Sequence, residues 1–323
     1  MLGLLALCVG IVAAQERLGQ YNVDKSQISV SGLSSGGGFT TQFHVVHSAS
    51  IMGAAPFSGV PYNCMTHHGG DCSQDPDVIN IDTLVTDTNN FAANGDIDPV
   101  SNLAQSKVFV FHGPHDFFVE AGAGRKIVEY YQRFNADVIG EFDIQAGHGF
   151  PTWDYGTDCD ATFIPGINRC QYWGAYNALN HIYGGNLQAP DPNTPTPGQF
   201  ISFDQHEFRN AVSNTAAFDP IGYIYVPIGC QNSATPCRLH VNFHGCFQGR
   251  QGWIIDDDEY ARNTGYNEVG ELNNIIILHP QIEPTDDNPG GCWDWNGLDS
   301  ADYQTKRGHH VQIVKAMIDR VTG

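Results

Sequence analysis

The sequence predicts an α/β architecture, a mainly parallel sheet with helices on both faces. Three observations carry that expectation. Short apolar runs of strand length alternate with helix-length amphipathic segments along the chain. The strongest run, Lys107–Phe111, is apolar at nearly every position, as strands buried on both faces are. Hydrophobic residues make up 41% of the 323, enough to fill a core on each side of such a sheet.

In chain order, 27–30 reads as a strand running into a glycine-rich turn, and 39–48 as a helix with Phe39, Phe43 and Val46 on one face. Strands are expected at 51–56 and 107–111, a helix at 122–134, a shorter strand at 141–144 and a helix at 171–183. The stretch 189–198 alternates proline with small polar residues and reads as an exposed connector within one catalytic unit, 15–323. Beyond it, strands are expected at 221–226, 238–243 and 274–278, with helices at 258–271 and 310–321. No internal repeat is visible.

Residues 1–14 form an apolar run too short to span a bilayer and ending in small residues, the pattern of a secretory leader. Removal after Ala14 takes Cys8 with it. Eight cysteines remain: Cys64, Cys72, Cys159, Cys170, Cys230, Cys237, Cys246 and Cys292. An even count in an exported chain favours disulfides. Eight cysteines permit about 105 pairings, so the sequence does not fix them. Short loop closures favour Cys64–Cys72, Cys159–Cys170 and Cys230–Cys237, which leaves Cys246 with Cys292. The net charge of −20, with only 15 Lys and Arg, repels a phosphate backbone and argues against nucleic acid. No later stretch is apolar enough for a membrane span, and an extracellular monomer is expected.

The sharpest motif is Gly32-Leu33-Ser34-Ser35-Gly36, between a β-branched run and a helix. A nucleophile on so tight a turn needs small neighbours, and the flanking glycines supply them. A serine hydroxyl attacks only when a histidine takes its proton and a carboxylate orients that histidine. Asp116 lies just past the strand 107–111, where such an acid belongs, with His115 beside it as the loop's other polar candidate. His148, between Gly147 and Gly149, follows the next strand. An oxyanion hole needs two backbone N–H groups. One is that of Ser35, after the nucleophile. The other is usually given by a His-Gly loop after an early strand. No such loop precedes Ser34, but Phe243-His244-Gly245-Cys246 has that form. Read with the back half first, the chain has the usual α/β-hydrolase order, so the sequence is that of a circularly permuted α/β-hydrolase. His112 and His115 have ligand-like spacing, yet no H-E-x-x-H or Cys/His cluster accompanies them, and neither metal nor cofactor is expected.

Gly32–Gly36, Gly147-His-Gly-Phe-Pro151, the run from Arg238 to Cys246, Thr264-Gly-Tyr-Asn267 and Gly291-Cys-Trp-Asp-Trp295 together resemble the extracellular poly(3-hydroxybutyrate) depolymerases of the single-domain fungal type. The resemblance implies Ser34, Asp116 and His148 as a triad, and the N–H groups of Ser35 and Cys246 as the oxyanion hole. It implies a secreted serine esterase acting on that polyester or its oligomers. The alternatives are a feruloyl or acetyl esterase of plant polysaccharide and an inactive binding protein of the same fold. This chain carries Asn296-Gly-Leu298 where a longer aromatic run is expected. Contact with polymer falls to the catalytic unit itself, with Trp293 and Trp295 as the candidate substrate-binding residues.

Overall fold

The computed structural model describes residues 16–162, 166–232, 234–252, 255 and 257–323. The leader expected at 1–14 lies outside the described residues. β1 (Val23–Leu33) runs straight into α1 (Ser35–Val46). β2 (Gly53–Phe57) is followed by two short helices, α2 (Cys64–His68) and α3 (Asp71–Gln74), and by α4 (Ile81–Asn94). Then come β3 (Lys107–Phe111), α5 (Ala121–Arg133) and β4 (Asp137–Glu141). Three very short strands, β5 (Phe150–Thr152), β6 (Thr157–Asp158) and β7 (Ile167–Arg169), precede α6 (Gly174–Ile182). Past the connector lie β8 (Gln199–Asp204), α7 (His206–Val212), β9 (Ile221–Val226) and β10 (Cys237–Phe243). The chain closes with α8 (Glu259–Asn263), α9 (Tyr266–Asn273), β11 (Ile275–His279) and α10 (His309–Thr322).

Eight strands form one sheet in the order β4-β3-β2-β1-β10-β11-β9-β8. Only β9 runs against its neighbours there. Counted from Gln199 onward, the spatial order becomes 1-2-4-3-5-6-7-8, the α/β-hydrolase order with its starting point moved. The two halves of the sequence meet at the β1–β10 pair, where Val30 lies opposite Val241 and Gly32 opposite Phe243. The end of α10 returns to the start of β1, and Tyr21 N–H donates to Val321 O at 2.8 Å.

The pleat explains the two helix layers. Val108 and Val110 of β3 point into a core shared with Phe39 of α1, Leu84 of α4, Ile127 of α5 and Met317 of α10. Phe109 and Phe111 point the other way, towards Leu179 of α6 and Val269 of α9. Each such side chain stabilises the fold by roughly 1.5–3 kcal/mol on burial. Four disulfides staple the periphery: Cys64–Cys72, Cys159–Cys170, Cys230–Cys237 and Cys246–Cys292.

Several elements differ from the sequence reading, which expected nothing at α2, α3, α4, α7 or the short strands β5, β6 and β7. The strand expected at 141–144 is β4, set four residues earlier, because Asp137–Glu141 pairs with β3 at an exposed edge. Phe142 instead folds beneath Gly140, covered by the Arg125 guanidinium at 4.5 Å. The helix expected across 258–271 breaks into α8 and α9 at Gly265, whose φ of 80° ends one helix and opens the next. β8, a half-exposed edge strand, was not anticipated.

Candidate active site

Ser34 occupies the turn between β1 and α1 with φ 57° and ψ −119°, a conformation rarely adopted by a side-chain-bearing residue. The turn is pinned by Ser34 N–H to Phe57 O and Gly38 N–H to Ser34 O, both 2.9 Å. A Cβ on Gly32 would lie 2.5 Å from Gly36 O, and one on Gly36 would lie 2.5 Å from the carbonyls of Phe243 and His244. The glycines of the motif are therefore required by close backbone approach. Ser34 sits at the N-terminus of α1, and Ser35, in the first turn, has no intrahelical acceptor for its N–H.

The loop after β3 carries the acid. Asp116 Oδ1 accepts from the backbone of Phe118 at 3.0 Å and Val119 at 2.9 Å, and Oδ2 accepts from His148 Nδ1 at 2.8 Å. With its proton on Nδ1, His148 presents Nε2 as an acceptor. Phe118 lies edge-on to that ring at 5.4 Å. The acid and histidine loops pack backbone to backbone, since a Cβ on Gly113 would fall 2.1 Å from Ala146 O. His148 N–H donates to Thr162, and Asn168 ties the carbonyls of Cys159 and Ala161 beneath it. Burial alone would raise the Asp116 pKa, but hydrogen bonding from His112 and His148 holds it well below the usual carboxylate range. His112 Nε2 is 3.4 Å from Oδ2 and donates first to Val119 O at 2.7 Å, so the His148 bond is the stronger cause.

Sequence reasoning missed His112 as a partner of the acid, having weighed it only for metal spacing. It and His115 part company, His115 pairing with Gln145.

The loop after β10 is held by two side chains that motif reading also passed over. Gln248 Oε1 accepts Gly245 N–H at 2.8 Å, while its Nε2 donates to Gly166 O at 2.9 Å. His244 is fully buried, donates from Nδ1 to Gly245 O and accepts Ile282 N–H. Burial lowers its pKa to about 4, which keeps the ring neutral and suited to that pair of bonds. Phe247 N–H is taken by Gly290 O. Among the described residues the N–H of Cys246 has no acceptor, and the Cys246–Cys292 disulfide anchors it from the other side.

Ser34, Ser35, His148 and Cys246 all face one cavity of about 420 Å³, whose apolar walls come from Leu33, Val60, Phe118, Phe247 and Trp295. Trp293 does not reach it. That side chain is fully buried, stacked on Phe39 at 4.8 Å and packed against Phe243 and Phe218. Trp293 is thus withdrawn as a substrate-contact candidate: its indole fills the core under α1, and Trp295, two residues on, turns to the cavity. No helix among the described residues is long and apolar enough to cross a membrane.

Comparison with known proteins gives the same direction. The chain is 40% identical over 331 residues to a poly(3-hydroxybutyrate) depolymerase of Delftia acidovorans, covering 98% of this chain and 64% of that protein. It is 34% identical to a polyhydroxybutyrate depolymerase of Talaromyces funiculosus, covering 91% of this chain and 88% of that one. The crystal structure of PHB depolymerase from Penicillium funiculosum superposes with a TM-score of 0.85 at 31% identity, over 94% of this chain and 98% of that chain. A PHB depolymerase with a serine-to-alanine substitution, complexed with R3HB trimer, gives a TM-score of 0.86 at 30% identity over the same shares. No family profile matches the chain. The fold, its permuted strand order and these relatives together place the chain in the polyhydroxybutyrate depolymerase family.

Proposed function

We propose that the chain is a secreted serine esterase that hydrolyses poly(3-hydroxybutyrate)-type polyester, or its oligomers, through an acyl-enzyme on Ser34. The observation that carries this reading is one apolar cavity faced by Ser34 and by a His148 already bound to Asp116. The polyester class rests on the relatives, one of which was solved with R3HB trimer bound.

Ser34 Oγ attacks the ester carbonyl carbon while His148 Nε2 takes its proton. The carbonyl oxygen becomes an oxyanion facing the N–H groups of Ser35 and Cys246. Collapse breaks the bond to the alkoxy oxygen, which leaves with the proton from His148 as a free hydroxyl end. Water, deprotonated by His148, then attacks the acyl-enzyme and releases the carboxylic acid and Ser34. A dry, uncharged polymer offers nothing to the chain's acidic charge, so contact falls to apolar groups such as Trp295 and Phe118.

Secretion is supported by the leader-like residues 1–14 and by four disulfides, which need an oxidising compartment. Residues 15–323 act as one catalytic unit in this reading, because the sheet draws strands from both sides of the connector. The test is acid release from poly(3-hydroxybutyrate) granules beside feruloyl and short-chain p-nitrophenyl esters. Granules should be degraded, and Ser34→Ala should lower the rate by several orders of magnitude, leaving roughly 10³-fold over water. Near-wild-type turnover by Ser34→Ala, or action on feruloyl esters alone, would overturn the assignment.

A further inference from the structure

The segment that gives Trp295 to the catalytic cavity also walls a second, separate cavity of about 180 Å³. His310, in the first turn of α10, lines it and is 1% exposed. Its Nδ1 accepts Asp294 N–H at 3.1 Å, so the proton of the neutral ring sits on Nε2. Burial lowers the His310 pKa to about 4, consistent with a neutral ring. Phe218 and Trp293 hold the ring edge-on, at 5.0 and 5.8 Å. Yet among the described residues Nε2 has no hydrogen-bond partner. A buried donor without an acceptor calls for an explanation, and the cavity that His310 lines supplies one.

Asp299 stands opposite. Its Oδ2 lies 3.8 Å from His310 Nε2, too far for a direct bond, and accepts from His309 Nδ1 at 2.9 Å. No hydrogen bond to Oδ1 is found among the described residues. One donor and one acceptor therefore lie side by side, 3.8 Å apart, and an oxygen seated against both would bridge them. The neighbouring carboxylate of Asp294 is already satisfied by the backbone of Gly297, Leu298 and Ser300. Asp287 adds negative charge at the rim, and Ala217 with Leu298 gives the cavity an apolar side.

We propose that this cavity is a second binding site, which takes the hydroxyl group of a small uncharged molecule. The hydroxyl oxygen accepts from His310 Nε2–H, and its own O–H donates a hydrogen bond to Asp299 Oδ2. A carboxylate ligand is repelled by Asp287 and Asp299. A metal is not matched by a ring nitrogen that carries a proton. Two sources share the required chemistry: a free polyol, and the hydroxyl end of a polyester chain whose carboxyl is esterified. The second source rests on the polyesterase reading above.

The test is NMR of the histidine side-chain nitrogens in the full chain carrying Ser34→Ala. The probes are methyl 3-hydroxybutyrate, its O-methyl ether and glycerol. The His310 signals should shift saturably with the free-hydroxyl ester, at least ten-fold more weakly with the ether, and not at all when Asp299→Asn is added. His148 should respond to ester and ether alike. Glycerol binding as tightly as the ester supports the site and assigns it to free polyols. An ester ten-fold tighter supports it as a chain-end site. A response at His148 with none at His310 overturns the second site and leaves the esterase reading standing. Equal binding of alcohol and ether at His310 also overturns it, and that comparison needs no variant at Asp299.

Discussion

His112 Nε2 lies 3.4 Å from the same Asp116 oxygen that receives His148 Nδ1, so two imidazoles converge on one carboxylate atom. His112→Phe removes one of them without opening a large cavity. At 3.4 Å, with its N–H already given to Val119 O, His112 contributes less than the about 1.5–3 kcal/mol of a full hydrogen bond to a charged group, so the expected loss in kcat/KM is about ten-fold or less. The sign of the pH effect follows from Asp116. Its folded pKa is depressed, so its charge contributes stability above the unfolded value near ~3.9, lost as pH falls through the folded value. Without His112 that folded value rises, and the acid-side loss of activity should begin at higher pH. An unchanged profile on a short-chain ester would show His112 to be mere packing.

The disulfides should separate into two kinds. Replacing Cys230 and Cys237 together by alanine should lower stability by roughly 2–4 kcal/mol and leave kcat alone. Replacing Cys246 and Cys292 should cost a similar amount and also lower kcat, by about ten- to a hundred-fold, because the loop bearing the Cys246 N–H loses its anchor. Urea denaturation and steady-state kinetics on the same samples give both quantities. Equal kcat in the two double variants contradicts the expected role of Cys246.

Acid should unfold the chain through its buried histidines. Burial lowers the pKa of His44 and His279 to about 3, and of His47, His244 and His310 to about 4. Burial also pushes the pKa of His240 well below its ordinary value, the ring being held between Ser29 and Ser31 at 2.7 Å. Each is neutral when folded and takes a proton on unfolding below about pH 6.5. Their stabilisation is full above that value and is lost as pH falls towards 4. The slope approaches about 1.4 kcal/mol per pH unit for each such group. Melting temperature should thus fall steeply between pH 6.5 and 4. A flat profile across that window would contradict the burial argument.

The two tryptophans make a paired test. Trp293→Ala should cost roughly 3–5 kcal/mol of stability, since it empties a fully buried site. Trp295→Ala, at a partly buried position, should cost less stability than that and weaken attack on solid polymer more than hydrolysis of a soluble ester. Equal losses on both substrates would make Trp295 a packing residue as well.

The permuted order is also testable. A chain starting near Gln199, passing from Gly323 through a short Gly/Ser linker to Tyr21, and ending near Gln188 restores the usual strand sequence. The Tyr21–Val321 hydrogen bond puts the ends to be joined side by side. Asn273 and Tyr225 hold the flanks of the connector at Gln188 and Gly198, so the opening falls between fixed points. Soluble, active protein is the expected result. Failure with several linker lengths would argue that the connector is needed for folding.

What was legible in the sequence followed how local its cause is. Lys107–Phe111 reads as a strand because both of its faces are buried, and Ile221–Val226 likewise. β8 and β4 lie at the two edges of the sheet, where exposed polar residues blur the pattern. The glycines around Ser34 and His148 mark tight turns that any chain must make with small residues. Asp116 could be placed because an acid after a strand end is a positional rule. The position of His112 is different, since its meeting with Asp116 depends on how the loop folds back to Val119 O. Trp293 and Trp295 are chemically identical and lie in an irregular segment, so no periodicity distinguishes the fully buried ring from the partly buried one.

The pairing of β1 with β10 carries a consequence for the chain while it is being made. β1 is synthesised early, but its neighbour on one side comes some two hundred residues later. At about 5–20 residues per second, the strand behind Ser34 waits on the order of 10–40 seconds with one edge unpaired. Pairing over such a distance is slow, and an open apolar edge invites association with other chains. The nascent protein therefore has reason to stay unfolded until it is complete. The serine just past the first strand and the loop that carries Cys246 come together only at the end, so an unfinished chain is inert by topology.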